Sequence, residues 1–173
     1  MDLFGTHRIS VETIRRLAVE CHALDICAVR LLIDTTIDEP NGLRTCYEEL
    51  FSEKLLSLAI ALRTKFYQGI PSKGTEKFVS HSAFLLVADK ESIESFTIKD
   101  VCDKIIHAES INRPLNDGTA QPITQVRGRH QNISWVLHVS TSLFCEGVLN
   151  WLASIEGTVR DKSGLTHHSK WTG

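Results

Sequence analysis

The sequence predicts a mainly α-helical fold, which is indicated by two long stretches of helical periodicity and one short stretch of strand periodicity. Apolar residues recur at steps of three and four over residues 10–33 and again over 43–68, and they alternate with other residues over 133–139. Of the 173 residues, 42% are hydrophobic and 23% are charged, which is an ordinary globular balance. We therefore predict a long antiparallel helix pair, two shorter helices and a small C-terminal β-hairpin.

The first helix is predicted to begin after Ser10, whose hydroxyl can cap it. Its apolar stripe contains Ile14, Leu17, Cys21, Leu24, Ala28 and Leu31, widened by Ile26, Val29, Leu32 and Ile33. The segment 38–42, Asp-Glu-Pro-Asn-Gly, is expected to end this helix in a turn because proline cannot continue a helix. A second helix is predicted over 43–68. The broad apolar surfaces of the two helices predict a homodimer or a larger assembly.

The helices and strands predicted in the C-terminal half are shorter. Residues 83–88, Ala-Phe-Leu-Leu-Val-Ala, fit either a helix or a buried strand. Thr97 and Asp100 have the spacing of a capping box, so a third helix is expected there. The hairpin is predicted near 122–139, with 123–126 pairing with 133–139 across a loop.

The last helix is expected to start near Ser140 or Thr141 and to end before Gly157. Residues 1–157 would then form a single domain, and residues 158–173 are expected to form a polar, flexible tail.

The composition limits the classes of partner. The formal net charge is -2, from 19 basic and 21 acidic residues, so the chain as a whole does not attract nucleic acid or an anionic membrane. The sequence contains no apolar run of the length that a transmembrane helix needs and no secretory signal at its start. Five scattered cysteines indicate reduced thiols rather than disulfides. These features predict a cytoplasmic protein without a membrane contact.

The third predicted helix has a polar face whose residues are of the types used in acid–base catalysis. At ~100° per residue, Asp100, Asp103 and His107 lie together with Lys104 beside them, opposite the apolar residues. Asp103 and His107 are four residues apart, so the carboxylate can orient or charge the imidazole. A histidine with an adjacent acid and cation can perform acid–base chemistry on a phosphodiester. The alternative is an ordinary solvated helix face.

Residues 102–107, Cys-Asp-Lys-Ile-Ile-His, resemble the core of the active helix of HEPN domains. These are small helical proteins that include many ribonuclease toxins and defence proteins. Their motif is usually an arginine, often followed by a polar residue, then three residues and a histidine. His107 matches the family histidine and Asp103 the polar position, whereas Cys102 stands where the family has arginine.

The resemblance implies metal-independent cleavage of RNA at a site formed by two copies of the domain. His107 would be the acid–base residue, with Asp103 and Lys104 in support, and the ribose 2′-OH would attack the phosphate. Because Cys102 carries no positive charge, Lys104, Arg63 or Arg113 would have to supply it.

A second group of residues predicts RNA binding. Arg127, Arg129 and His130 form the densest basic patch, at the expected hairpin tip, and Arg113 is added to them as a fourth RNA-binding residue. The alternative is a solvated turn. Cys21, His22 and Cys27 do not have the spacing of a metal site, so no metal and no cofactor are predicted.

The predicted function is accordingly an HEPN-like RNA-binding protein or metal-independent ribonuclease, as a component of a toxin–antitoxin or phage-defence system. The alternative is a non-catalytic subunit that holds a protein partner in a larger assembly.

Overall fold

The computed structural model describes residues 8–33, 36, 40–70, 75, 83–87, 90–92, 96–114 and 123–164, with the backbone alone at 40, 41, 84, 90–92 and 157–164. Within these described residues the helices are Val11–Leu32 (α1), Pro40–Tyr67 (α2), Ile98–Ile106 (α3) and Thr141–Gly164 (α4). The strands in the same part of the chain are Ala83–Val87 (β1), Lys90–Ser92 (β2), Ser110–Asn112 (β3), Thr124–His130 (β4) and Ile133–Val139 (β5). The prediction of a mainly α fold is confirmed.

Helix α1 begins where the sequence predicts. The Ser10 hydroxyl accepts a hydrogen bond from the backbone N–H of Thr13 at 3.0 Å, which satisfies one free donor of the first turn. Ile14 and Cys21 are fully buried, whereas Ile26 is 63% exposed. The helix packs against both α2 and α4, so its buried surface is broad but one face remains free.

Helix α2 begins at Pro40, inside the segment expected to be a turn. Proline suits the first turn of a helix, where its missing N–H has no partner to lose, so Pro40 starts α2. The Tyr47 hydroxyl donates to the Leu24 carbonyl at 3.0 Å, and Lys65 Nζ donates to the Ile9 carbonyl at 2.6 Å. Because early residues of one helix meet late residues of the other, the predicted antiparallel pair is confirmed.

The predicted hairpin is present, but it belongs to a larger sheet. The strand order is β2-β1-β5-β4-β3, with every neighbouring pair antiparallel. Gln131 and Asn132 join β4 to β5, and their φ angles of 47° and 66° are those of a tight type I′ turn. Residues 127–130, expected in a loop, therefore extend β4. The sequence pattern missed β2 and β3 because three residues are too few to show alternation.

The described helices pack on one face of the sheet. Val126 and Leu137 are fully buried on that face, and Thr124 Oγ1 lies 2.8 Å from Thr141 Oγ1 at the start of α4. Arg127, which alternates with Val126 along β4, is exposed on the other side. We call that other side, formed by residues in register with Arg127, the open face.

Helix α4 continues to Gly164, so the prediction that the last helix ends before Gly157 is wrong. A single glycine weakens a helix by about 1 kcal/mol but does not end it. Residues 165–173 of the predicted tail lie outside the described residues. Within the described part of the chain, no helix combines the length and the apolar character needed to cross a membrane.

Candidate functional site

Helix α3, which carries the predicted catalytic residues, is fixed at its start by the predicted capping box. The backbone N–H of Thr97 donates to Asp100 Oδ2 at 2.9 Å, and the N–H of Asp100 donates to Thr97 Oγ1 at 3.2 Å. Ile98 and Val101 are fully buried, which turns the polar residues of α3 outward. Asp100 therefore stabilises the helix end.

Asp103 binds an arginine of the neighbouring helix. Its Oδ1 lies 2.5 Å from Nε of Arg63 on α2, whose side chain is 15% exposed. Arg63 Nη2 also donates to the Tyr67 hydroxyl at 2.9 Å. The described contact between Asp103 and His107 is a backbone hydrogen bond of 3.1 Å. Asp103 thus links α3 to α2, and it holds a guanidinium against the polar face of α3.

Lys104 and His107 have different surroundings. Lys104 Nζ lies 4.6 Å from the centroid of the Trp135 ring, which is the geometry of a cation–π contact. His107 caps the C-terminus of α3 and its side chain is exposed. Two residues later, the N–H of Glu109 donates to the Arg127 carbonyl at 2.8 Å. His107 therefore lies where α3 turns toward the strand that carries the arginines.

Cys102 of α3 is fully buried. Burial raises the pKa of the Cys102 thiol well above its usual range, and the charge of Asp103 adds to that shift. The thiol is therefore protonated at neutral pH and serves as a small core side chain.

Arg127 and Arg129 lie on the open face, two residues apart on β4. Arg127 Nη2 donates to Gln125 Oε1 at 2.7 Å. Arg129 is 70% exposed, and its Nε lies 3.9 Å from Glu109 Oε2. An exposed ion pair at this distance contributes little energy, so both guanidinium groups are open to a ligand from solvent.

Two histidines flank these arginines. His130 ends β4 opposite Ile133, in register with the covered face, and it is exposed at the hairpin tip. His138 lies opposite Gln125 on the open face. Burial, and then the positive charge of Arg127, lower the pKa of His138. The alternation of β5 relative to β4 is the sequence signal that identifies His138 as a residue of this face.

Arg113 does not belong to this surface. Its side chain is 2% exposed, and its Nε donates to Asp25 Oδ1 at 2.7 Å. Its Nη2 donates to the Asp25 carbonyl at 2.6 Å, and its guanidinium lies 5.8 Å from the Phe51 ring centroid. This burial corrects the predicted role of Arg113 in RNA binding, because a guanidinium inside the core cannot reach a phosphate outside it.

The buried thiols also have structural surroundings. Cys21 on α1 and Cys145 on α4 are both fully buried, and the hydrogen bond that the Cys145 thiol donates to Cys21, together with burial, raises the pKa of Cys145. In the part of the chain that the structure describes, no three His, Cys, Asp or Glu side chains cluster in a way that could hold a metal ion.

Comparison with protein-family models, with curated proteins and with solved structures found no match for this chain. These comparisons therefore do not test the resemblance of residues 102–107 to HEPN domains. The candidate functional residues are those around α3 and on the open face of the sheet.

Proposed function

We propose that this chain binds single-stranded RNA on the open face of its sheet. The observation that supports this best is the position of Arg127 and Arg129, both exposed on the same side of β4. Side chains on one face of a strand repeat every about 6.6 Å, so the two guanidinium groups can contact separate phosphates of an extended strand. Because the whole chain carries a net charge of -2, this attraction is local.

The neighbours of the two arginines suit an RNA ligand. In the strand register, Asn112 and His138 lie on either side of Gln125, and Ser134 lies opposite Arg129. Amide, hydroxyl and imidazole groups can hydrogen-bond to base edges and to the ribose 2′-OH, and guanidinium planes can stack on unpaired bases. A flat sheet face reads bases only when they are splayed out, which favours single strands over duplexes.

The proposal is tested by the fluorescence anisotropy of a short labelled single-stranded RNA. Arg127→Gln with Arg129→Gln should weaken binding by about ten- to a hundredfold. Loss of two phosphate contacts should also reduce the slope of log affinity against log salt by about 1.4.

The matched control is Arg8→Gln with Arg44→Gln, which removes two charges from exposed positions before α1 and on α2. It should bind RNA like the unmodified chain. Equal affinity of both double variants, or no binding by the unmodified chain, would contradict the proposal and favour an interaction subunit for a protein partner.

Cleavage of the bound RNA is a second candidate function. It is favoured by His107, an exposed imidazole two residues before Glu109, whose N–H binds the Arg127 carbonyl. Arg63 adds a guanidinium, because it pairs with Asp103, which lies one helical turn before His107. In such a reaction the imidazole accepts the proton of the ribose 2′-OH as that oxygen attacks the adjacent phosphate. The bond from phosphorus to the 5′-oxygen breaks, which leaves a 2′,3′-cyclic phosphate, and the departing 5′-oxygen takes up a proton from water. This activity would suit the toxin–antitoxin or defence role that the HEPN resemblance implies.

Cleavage is tested with labelled RNA and a chelator, so that no metal contributes. His107→Ala should abolish cleavage while it leaves RNA affinity unchanged, and DNA of the same sequence should remain intact because it lacks the 2′-OH. His22→Ala, which changes a histidine that pairs with Glu146, serves as the control. RNA that is bound but stays intact with the unmodified chain would identify a binding protein without nuclease activity.

A further inference from the structure

The free face of α1 carries a regularly spaced row of exposed residues. Val19 is 51%, Ile26 is 63% and Ile33 is 41% exposed. Counting along the helix in alternating steps of four and three, the exposed residues are Glu12, Arg16, Val19, Ala23, Ile26, Arg30 and Ile33. This is the spacing of the contact positions of a coiled coil. We call this row the α1 stripe.

A leucine of α2 widens this surface. Leu50 is 39% exposed. Two contacts fix how α1 and α2 are aligned along their axes. The Tyr47 hydroxyl donates to the Leu24 carbonyl, and Lys54 Nζ lies 3.1 Å from Glu20 Oε2. These contacts place Leu50 level with Ala23, beside the α1 stripe. The apolar surface therefore belongs to the helix pair rather than to one helix.

The charges of the α1 stripe indicate which molecule covers it. Glu12 stands in the first turn of α1 and Arg30 in the last. When two copies of α1 pack antiparallel about Cys21, Glu12 of each copy meets Arg30 of the other, and Val19 meets Ala23. Arg16 then lies opposite Ile26, against which the aliphatic part of the arginine side chain can pack. A parallel arrangement would instead oppose like charges at both ends. The charges at the two ends of the stripe thus attract in the antiparallel orientation and repel in the parallel one.

We propose that the α1 stripe is the interface of a homodimer in which two α1 helices pack antiparallel with the two α2 helices beside them. Four helices then share one apolar layer, as in a helix bundle. Helix α3 packs against α2, so the interface is built from other residues than the His107 segment. This arrangement is independent of the proposed binding of RNA.

Sedimentation equilibrium at micromolar concentrations tests the dimer. The unmodified chain should have twice the 19.4 kDa mass of one chain, and Val19→Glu with Ile26→Glu should be a monomer with an unchanged circular dichroism spectrum. Ile133→Glu, which alters an equally exposed residue of the hairpin, should remain a dimer. A monomeric unmodified chain, or an intact dimer of the Val19→Glu, Ile26→Glu variant, overturns the proposal.

Charge reversal tests the antiparallel orientation. Glu12→Arg alone and Arg30→Glu alone should each weaken the dimer by about tenfold, because each replaces two attractive contacts by two repulsive ones. A mixture of the two single variants should form a heterodimer, since each then supplies the charges that the other needs. A mixture that associates no better than its separate components overturns the antiparallel arrangement.

Discussion

Asp25 Oδ1 lies 2.7 Å from Nε of Arg113, and the two side chains are 5% and 2% exposed. The other carboxylate oxygen of Asp25 accepts a hydrogen bond from the backbone N–H of Ser142 at 2.9 Å. The pair therefore connects α1, the segment after β3 and the start of α4. A buried ion pair adds little stability by itself, but the loss of one partner leaves an uncompensated buried charge.

Arg113→Met is expected to lower the free energy of unfolding by about 3–5 kcal/mol, because it leaves Asp25 buried without its counter-charge. Urea unfolding followed by circular dichroism measures the change. The double variant, with Asp25→Leu added, should be more stable than Arg113→Met alone, because it removes the stranded charge. Strictly additive losses would show that the two residues do not act together.

Gly128 of β4 is required by the packing of Trp135. A Cβ atom at position 128 would lie 2.3 Å from Cζ2 of Trp135. Gly128→Ala is therefore expected to destabilise the fold by about 1–3 kcal/mol, measured as a lower melting temperature. The same substitution is also made in a Trp135→Leu variant, where Gly128→Ala should lower the melting temperature by clearly less. An equal cost in both backgrounds would mean that the indole is not the cause.

Local patterns predicted the helices well. Ser10 caps α1, Thr97 and Asp100 form the capping box of α3, and both positions could be identified because the interacting residues are three apart along the chain. The two strands of the hairpin could be predicted because β5 shows clear alternation. Pro40 misled the prediction because proline both ends one helix and begins the next.

Non-local contacts could not be read from the sequence. Arg113 and Asp25 are 88 residues apart, so no local pattern marks Arg113 as a core residue rather than a surface cation. The same holds for Arg63 and Asp103, which come together only because α2 and α3 pack. The five-stranded sheet depends on the pairing of β1 with β5, whose partners are also distant in the chain. The open face could therefore not be defined before the strand order was known.

Because the pKa values of two buried thiols are raised, we expect the fold to lose stability at high pH. Burial raises the pKa of Cys102 above its ordinary value of 9.0, and the hydrogen bond that the Cys145 thiol donates to Cys21, with burial, raises that of Cys145. As the pH rises through 9.0, the unfolded chain loses these protons first, so the stabilising effect of the two thiols is complete below that pH and decreases above it.

The expected slope is about 1.4 kcal/mol per pH unit for each thiol. Urea unfolding at a series of pH values measures it, and Cys102→Ala should reduce the slope by the share of one thiol. Alkylation at neutral pH should modify the exposed Cys27 and Cys46 while Cys102 stays protected. Rapid alkylation of Cys102 in the folded chain would contradict its burial.

The protonation of His138, a residue of the open face, can be followed as a function of pH. Burial, and then the charge of Arg127, lower its pKa below the ordinary value of 6.5. As the pH falls through 6.5, the unfolded chain takes up a proton at His138 before the folded chain does, so this residue reduces stability in acid.

Arg127→Gln should raise the pKa of His138 toward its ordinary value, though not fully, because burial is the larger cause and remains. The pKa is measured from the imidazole resonances by NMR titration. Arg129→Gln is the control and should leave it unchanged. Bound RNA should also raise this pKa, because a phosphate near Arg127 favours the protonated imidazole. A pKa of His138 that changes neither with Arg127→Gln nor with RNA would place the ligand away from the open face.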